Sequence, residues 1–280
     1  MQDKKSMAIF ANEIRTELIR TFKRRGNGHI GGSLSMVDLL AVLYSGTMKI
    51  NPANPAWKER DMLVCSKGHA GPALYSTLAL KGYFPKEWLM TLNEGGTNLP
   101  SHCDRNHTPG IDASTGSLGQ GISQAVGMAL GAKQNKSNQI VYCIVGDGEC
   151  QEGQVWEAAM FAAHFKLDNL ILFVDWNKKQ LDGTLEEIMD LGDIGQKFQD
   201  FGWYMQTVNG SDHMTILNAI QQAKAQKGRP SAIVLDTVKG AGIPMMEARQ
   251  FCHHMVLPPE MCDEMLNYLS QQAEELRKEA

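Results

Sequence analysis

The chain has 280 residues, a formal net charge of -4 at pH 7, 43% hydrophobic and 21% charged residues. This is ordinary globular composition, and the acidic balance sets aside a nucleic-acid binder, which carries a basic face. No apolar run approaches the length of a membrane span. The start, Met1-Gln2-Asp3-Lys4-Lys5, leads into regularly charged sequence rather than the apolar core of a signal peptide, so a cytoplasmic location is expected.

In chain order, Ser6 to Arg25 reads as an amphipathic helix. Ile9, Phe10, Ile14, Leu18, Ile19 and Phe22 recur at helical spacing, and Gly26-Asn27-Gly28 stops it. A second helix is expected from near Ser35, with Met36, Leu39, Leu40 and Leu43 on one face. Asp61 to Cys65 reads as a short strand, Ser66-Lys67-Gly68-His69 as a turn, and Ala70 to Leu80 as a helix. Residues 93 to 118 are rich in Gly, Pro, Asn, Ser, Thr and His. Long irregular segments of this kind inside compact domains are usually functional. A Gly- and Ala-rich helix follows from Gly119 to Gln134.

The strand Ile140 to Val145, the helix Trp156 to Phe165 and the strand Leu170 to Val174 then alternate. Continuous apolar strands separated by a helix indicate a buried parallel sheet. A helix from His213 to Gln226, a strand from Ser231 to Leu235 and an amphipathic helix from Pro258 to Lys278 complete the chain. The fold class is therefore α/β, a parallel sheet with helices on both faces.

In such sheets ligands bind at the carboxyl ends of the strands. Gly146-Asp147-Gly148-Glu149-Cys150-Gln151-Glu152-Gly153 follows one apolar strand, and Asp175-Trp176-Asn177-Lys178-Lys179-Gln180 follows the next. Gly146 and Gly148 let the backbone approach a diphosphate, and the following helix start favours the anion. Asp147 and Asn177 offer hard oxygen ligands suited to Mg²⁺ or Ca²⁺. Glu149 and Glu152 also read as plain helix-start acids.

Six cysteines, at 65, 103, 143, 150, 252 and 262, form no C-x-x-C pair, and reduced thiols are expected. Cys252-His253-His254 with Cys262 fits no standard zinc spacing. Sixteen methionines read as adaptable core filling.

With these residues in view the chain resembles the N-terminal, thiamine-diphosphate-binding half of transketolase over nearly its full length. The matching stretches are Gly28-His29-Ile30-Gly31-Gly32, Ser66-Lys67-Gly68-His69-Ala70, Pro100-Ser101-His102, Thr115-Gly116-Ser117-Leu118-Gly119-Gln120-Gly121, the segment from Gly146 to Gly153, and Val238-Lys239-Gly240-Ala241-Gly242, in the family's order. The resemblance implies a single diphosphate-type domain over residues 1–280. Asp147, Asn177 and the Lys179 carbonyl would bind Mg²⁺, with Ca²⁺ or Mn²⁺ as substitutes. Gly148 and His69 would contact the diphosphate. Gly116, Ser117 and Leu118 would lie on the aminopyrimidine side, with Gly146 and Glu149 also at the cofactor. Glu152 would sit at the subunit contact. His29, His69, His102 and His253 would be catalytic, with His29 and His102 facing the sugar and His253 or His254 at a further active-site histidine position. Two departures stand out: the usual Gly-Pro-Leu-Gly-Gln-Gly has Ser117 in place of proline, and the usual His-Gly reads Cys252-His253-His254-Met255, which leaves open whether His253 or His254 is the active-site histidine.

The resemblance implies transfer of a two-carbon ketol unit from a ketose phosphate to an aldose phosphate. It also implies a second chain bearing the pyrimidine domain and the activating glutamate, in an α2β2 assembly. Two other readings compete: an alpha-type subunit of another thiamine enzyme, such as a 2-oxo-acid dehydrogenase or synthase, and a non-catalytic relic. The four histidines and Gly116 to Gly121 favour transketolase.

Overall fold

The computed structural model describes residues 3–181 and 183–278. Helix α1 (Lys4–Arg25) starts on Asp3, whose carboxylate accepts the Ser6 N–H, and ends at Gly26 in the left-handed conformation, φ 82°. It is followed by β1 (Asn27–Gly28), α2 (Ile30–Leu34) and α3 (Val37–Val42). Helix α3 starts at Val37, close to the expected start near Ser35, and the short helix α2 that precedes it was not expected. Gly31 and Gly32 hide the start of α2, because the helix propensity of glycine is poor. The expectation that no apolar run reaches membrane length is also corrected. The window Ile30–Thr47 is apolar and long enough, yet 83% of it is buried inside the fold, which marks it as core.

Next come β2 (Met62–Cys65), α4 (Gly71–Leu80), α5 (Gln120–Gln134), β3 (Val141–Gly146), α6 (Gly153–His164) and β4 (Leu170–Trp176). After these stand α7 (Leu185–Ile188), α8 (Ile194–Asp200), β5 (Tyr204–Asn209), α9 (His213–Ala225), β6 (Ser231–Asp236), α10 (Pro244–Glu247), β7 (Met255–Val256) and α11 (Pro259–Lys278). Residues 92–119 contain no helix or strand.

Five strands form one parallel sheet in the order β2-β3-β4-β6-β5. Successive side chains in a strand point to opposite faces, so each continuous apolar run feeds two cores. Tyr142, Ile144, Ile171, Phe173, Ile233 and Leu235 pack toward α1, α3, α4, α9 and α11. Val141, Cys143, Val145, Leu172, Val174, Ala232 and Val234 pack toward α5, α6 and α8. Strand β5 is absent from the sequence expectation because it is an edge strand, half exposed and partly polar.

Two registers position the site. Gly146 pairs with Asp175 across β3 and β4, and Trp176 pairs with Asp236 across β4 and β6. The polar segments after all three strands therefore open side by side. A separate two-stranded ribbon pairs β1 with β7, Asn27 opposite Val256 and Gly28 opposite Met255, and so brings residues 253 and 254 to His29.

Candidate active site

Asp147 begins the turn after β3 and is buried. Its Oδ1 accepts the Gly148 N–H at 2.8 Å and its Oδ2 the Lys178 N–H at 2.6 Å. Burial and the neighbouring Asp175 push its pKa up to about 7. A buried carboxylate in this state is one that a cation would hold ionised.

Asp175 is fully buried at the end of β4. Its Oδ2 accepts from Ser35 Oγ at 2.7 Å, from Asn177 Nδ2 at 2.8 Å and from the Lys67 ammonium. Lys67 Nζ also donates to the Gly32 carbonyl at 2.7 Å. This one carboxylate thus ties together the segments at 32–35, 67 and 177. By holding Nδ2 it commits the Asn177 Oδ1 to face the other way, toward the Lys179 N–H at 3.3 Å. The Asp175 Oδ1 has no hydrogen-bond partner.

Lys239 follows β6 and is buried. Its Nζ donates to the Lys179 carbonyl at 2.9 Å and lies 3.1 Å from His253 Nδ1. Burial lowers its pKa.

Glu149 is buried between two loops. Its Oε1 accepts from the Ser66 hydroxyl and from the Gly119 N–H at 2.9 Å, and its Oε2 from the Gly146 N–H at 3.0 Å. Burial raises its pKa, against these bonds. Its geometry is that of a tie between the 115–119 loop and the strand end. Gly116 stands at φ 144°, and a Cβ there would lie 3.0 Å from the His102 ring. A Cβ at Gly68 would lie 2.7 Å from the Gly116 nitrogen, so the His69 turn and this loop touch through bare backbone. Ser117 is exposed and Leu118 half-buried. Glu152 is exposed at the start of α6, its Cβ 2.8 Å from where a Cβ on Gly119 would stand.

Five histidines converge above these loops. The His29 ring centroid lies 5.4 Å from His69, 5.8 Å from His102, 5.3 Å from His253 and 4.6 Å from His254. His69 and His253 are 4.8 Å apart. Burial pushes His29 down to about 4, helped by His254, and His253 down to about 3, helped by Lys239. Burial also lowers His69, far below the usual range, and His102. Neutral imidazoles both give and take a hydrogen bond, and these rings stay partly open to solvent.

The structure therefore brings together His29, His69, His102, His253, Gly116, Asp147, Gly148, Asn177 and Lys179, with Gly146 beneath them. Glu152 and Ser117 lie at the outer edge. Lys67, Asp175 and Lys239 were not singled out as functional from the sequence, and His254 only as the alternative to His253. Lys67 and Lys239 lie inside the quoted Ser66–Ala70 and Val238–Gly242 stretches, and Asp175 opens the Asp-x-Asn run, but only the folded chain shows what they touch.

The residues present fit a metal-bound diphosphate. The donors are hard oxygens, Asp147 and Asn177 among them. The buried Lys239 ammonium suits phosphate oxygens, Lys67 is held by Asp175 and the Gly32 carbonyl, and Asp175 Oδ1 still lacks a donor. Among the described residues no three His, Cys, Asp or Glu side chains are arranged to hold a metal by themselves. An ion here would draw on Asn177, the Lys179 carbonyl and the ligand.

Fold and site together define a thiamine-diphosphate-binding domain. The chain matches the family described as transketolase, thiamine diphosphate binding domain, over residues 6–274. It belongs to the transketolase family. It is 53% identical over 251 residues to the 6-deoxy-6-sulfo-D-fructose transketolase subunit SqwG of Clostridium sp. (strain MSTE9), covering 90% of this chain and 91% of that one. It is 36% identical over 274 residues to one of the subunits of the apulose-4-phosphate transketolase of Phocaeicola vulgatus, covering 98% and 97%. The crystal structure of transketolase from Campylobacter jejuni superposes with a TM-score of 0.90 at 32% identity, covering 98% of this chain and 43% of that one. The chain thus spans nearly the whole of the two subunits and less than half of that transketolase.

Proposed function

We propose that this chain is the cofactor-anchoring subunit of a two-component transketolase, a transferase that moves a two-carbon ketol unit from a ketose to an aldose phosphate. It works with a C-terminal subunit carrying the pyrimidine domain, as two copies of each, in the cytoplasm. The observation that carries the reading is the convergence of His29, His69, His102 and His253 above the Asp147 and Asn177 loops. When bound, thiamine diphosphate supplies the electron sink that lets a ketose break between C2 and C3.

Each residue has a role consistent with its surroundings. Asp147, Asn177 and the Lys179 carbonyl hold Mg²⁺. Gly148, His69 and Lys239 face the diphosphate. Gly116 and Leu118 border the pyrimidine side. His29, His102 and His253 face the sugar. With pKa values held low, they are neutral at pH 7, so each can donate a hydrogen bond to a carbonyl oxygen, accept a proton from a hydroxyl and return that proton later in the cycle.

The 53% identity to the sulfofructose transketolase subunit makes 6-deoxy-6-sulfo-D-fructose the first donor to try, with fructose 6-phosphate beside it. The co-expressed pair, given thiamine diphosphate, Mg²⁺, either donor and glyceraldehyde 3-phosphate, is expected to form xylulose 5-phosphate and the four-carbon aldose of the donor. Mass spectrometry reads both products. No product from any ketose, with decarboxylation of a 2-oxo acid instead, would move the chain to the other class of split thiamine enzymes.

A further inference from the structure

The ribbon that carries His253 delivers a second imidazole, and its position is fixed by backbone. Gly28 pairs with Met255, and the Gly31 N–H donates to the Cys252 carbonyl at 2.8 Å. The approach is close enough that a Cβ on Gly31 would lie 2.5 Å from the Cys252 oxygen and 2.8 Å from its Sγ. His254 stands between these two anchors. Its ring meets His29 edge-on at 4.6 Å, the shortest of the ring contacts within the cluster.

The adjacent histidines do different things. His253 lies against Lys239 through Nδ1 and against the His69 ring, and the same ammonium donates to the Lys179 carbonyl. His254 is exposed and, among the described residues, its ring nitrogens make no hydrogen bond and its ring meets only that of His29. His29, His69, His102 and His253 are partly buried, whereas His254 is exposed at the outer edge of the cluster. A ketose entering with its carbonyl end inward lays its remaining hydroxyls past that edge.

We infer that His254 is a donor-specificity residue, whose imidazole hydrogen-bonds a ketose hydroxyl beyond the two-carbon unit and narrows the approach to His29. The inference rests on the transketolase reading and deepens it. An imidazole can match a hydroxyl as donor or acceptor, and a site built to bond a hydroxyl discriminates against sugars that present it differently. Its place beside His29, and not beside Asp147 or Lys239, separates it from cofactor binding.

The test uses the reconstituted pair with His254→Gly and His254→Asn. His254→Gly is expected to raise donor KM about ten-fold and to change the kcat/KM ratio between fructose 6-phosphate and xylulose 5-phosphate. Thiamine diphosphate affinity and kcat should stay within a few-fold. His254→Asn, which keeps one amide for hydrogen bonding, should recover part of the donor KM. Should the glycine variant fail to fold, the asparagine variant carries the same comparison. Unchanged donor KM and donor ratio in a folded variant overturn the assignment. If the wild-type pair turns over no ketose, the functional reading falls. His254 is then judged by saturation-transfer NMR with fructose 6-phosphate: weaker contact in the variants supports it, and equal contact overturns it.

Discussion

The Asp147 and Asp175 carboxylates lie at the ends of adjacent strands, yet their surroundings divide their work. Asp175 has an ammonium, a hydroxyl and an amide on one oxygen, so it is compensated by protein. Asp147 has only backbone N–H groups on its oxygens, and burial with Asp175 nearby lifts it to about 7. A carboxylate left without a cationic partner is the one that gains most from a metal. Asp147→Ala removes that charge and is expected to weaken Mg²⁺-dependent binding of thiamine diphosphate by at least about 100-fold, on the scale of losing a charged contact worth ~3 kcal/mol. Titration calorimetry with unchanged affinity would remove Asp147 from the metal site. The residue types at 146–149 and 175–177 made this region readable in the sequence, because glycines and hard oxygen donors after apolar strands have few other uses. The lysines were not readable in the same way. Lys67 is 1% exposed and Lys239 3%, and nothing in a linear sequence distinguishes a buried lysine from the usual solvated one.

At the scale of elements, β3, β4 and the strand Ser231–Asp236 were legible because both their faces are apolar. Tyr204–Asn209 was not, because an edge strand needs only one apolar face. The irregular run 92–119 was legible as a loop, and Glu149 anchors its C-terminal end at Gly119. That side chain crosses from the β3 turn and holds Ser66, Gly119 and Gly146 at once. The sequence leaves Glu149 ambiguous between a helix-start acid and a cofactor contact, and its observed bonds are to the protein itself. Glu149→Ala would leave two buried N–H groups without acceptors. The expected cost is ~3 kcal/mol of stability, with thiamine diphosphate affinity falling because Gly116 and Leu118 lose their support. Chemical denaturation read by circular dichroism measures the first effect. A variant as stable as the parent would show that the loop holds itself.

At the scale of the whole molecule, the apolar surface is uneven. Val238, Phe251 and Val256 are exposed on the segments that carry Lys239, His253 and His254, and Leu181, Ile188 and Met189 on the segment after Asn177. On α6, Met160 and Phe161 are exposed, with Phe165 just beyond it, and the two phenylalanine rings lie 4.3 Å apart. Exposed apolar residues on the segments that carry the candidate site are what a partner surface covers, and isolated proteins rarely leave large apolar area in water. Closed twofold assemblies are the commonest arrangement of subunits. The purified chain alone is therefore expected to self-associate, which light scattering during gel filtration will read, and to transfer no two-carbon unit from xylulose 5-phosphate to ribose 5-phosphate. Adding the C-terminal subunit should produce a defined hetero-oligomer and restore transfer. A lone chain, cleared of host transketolase, that turns over these sugars at ordinary enzyme rates would mean that the histidine cluster and the Asp147 site suffice by themselves, and the two-component reading would be wrong.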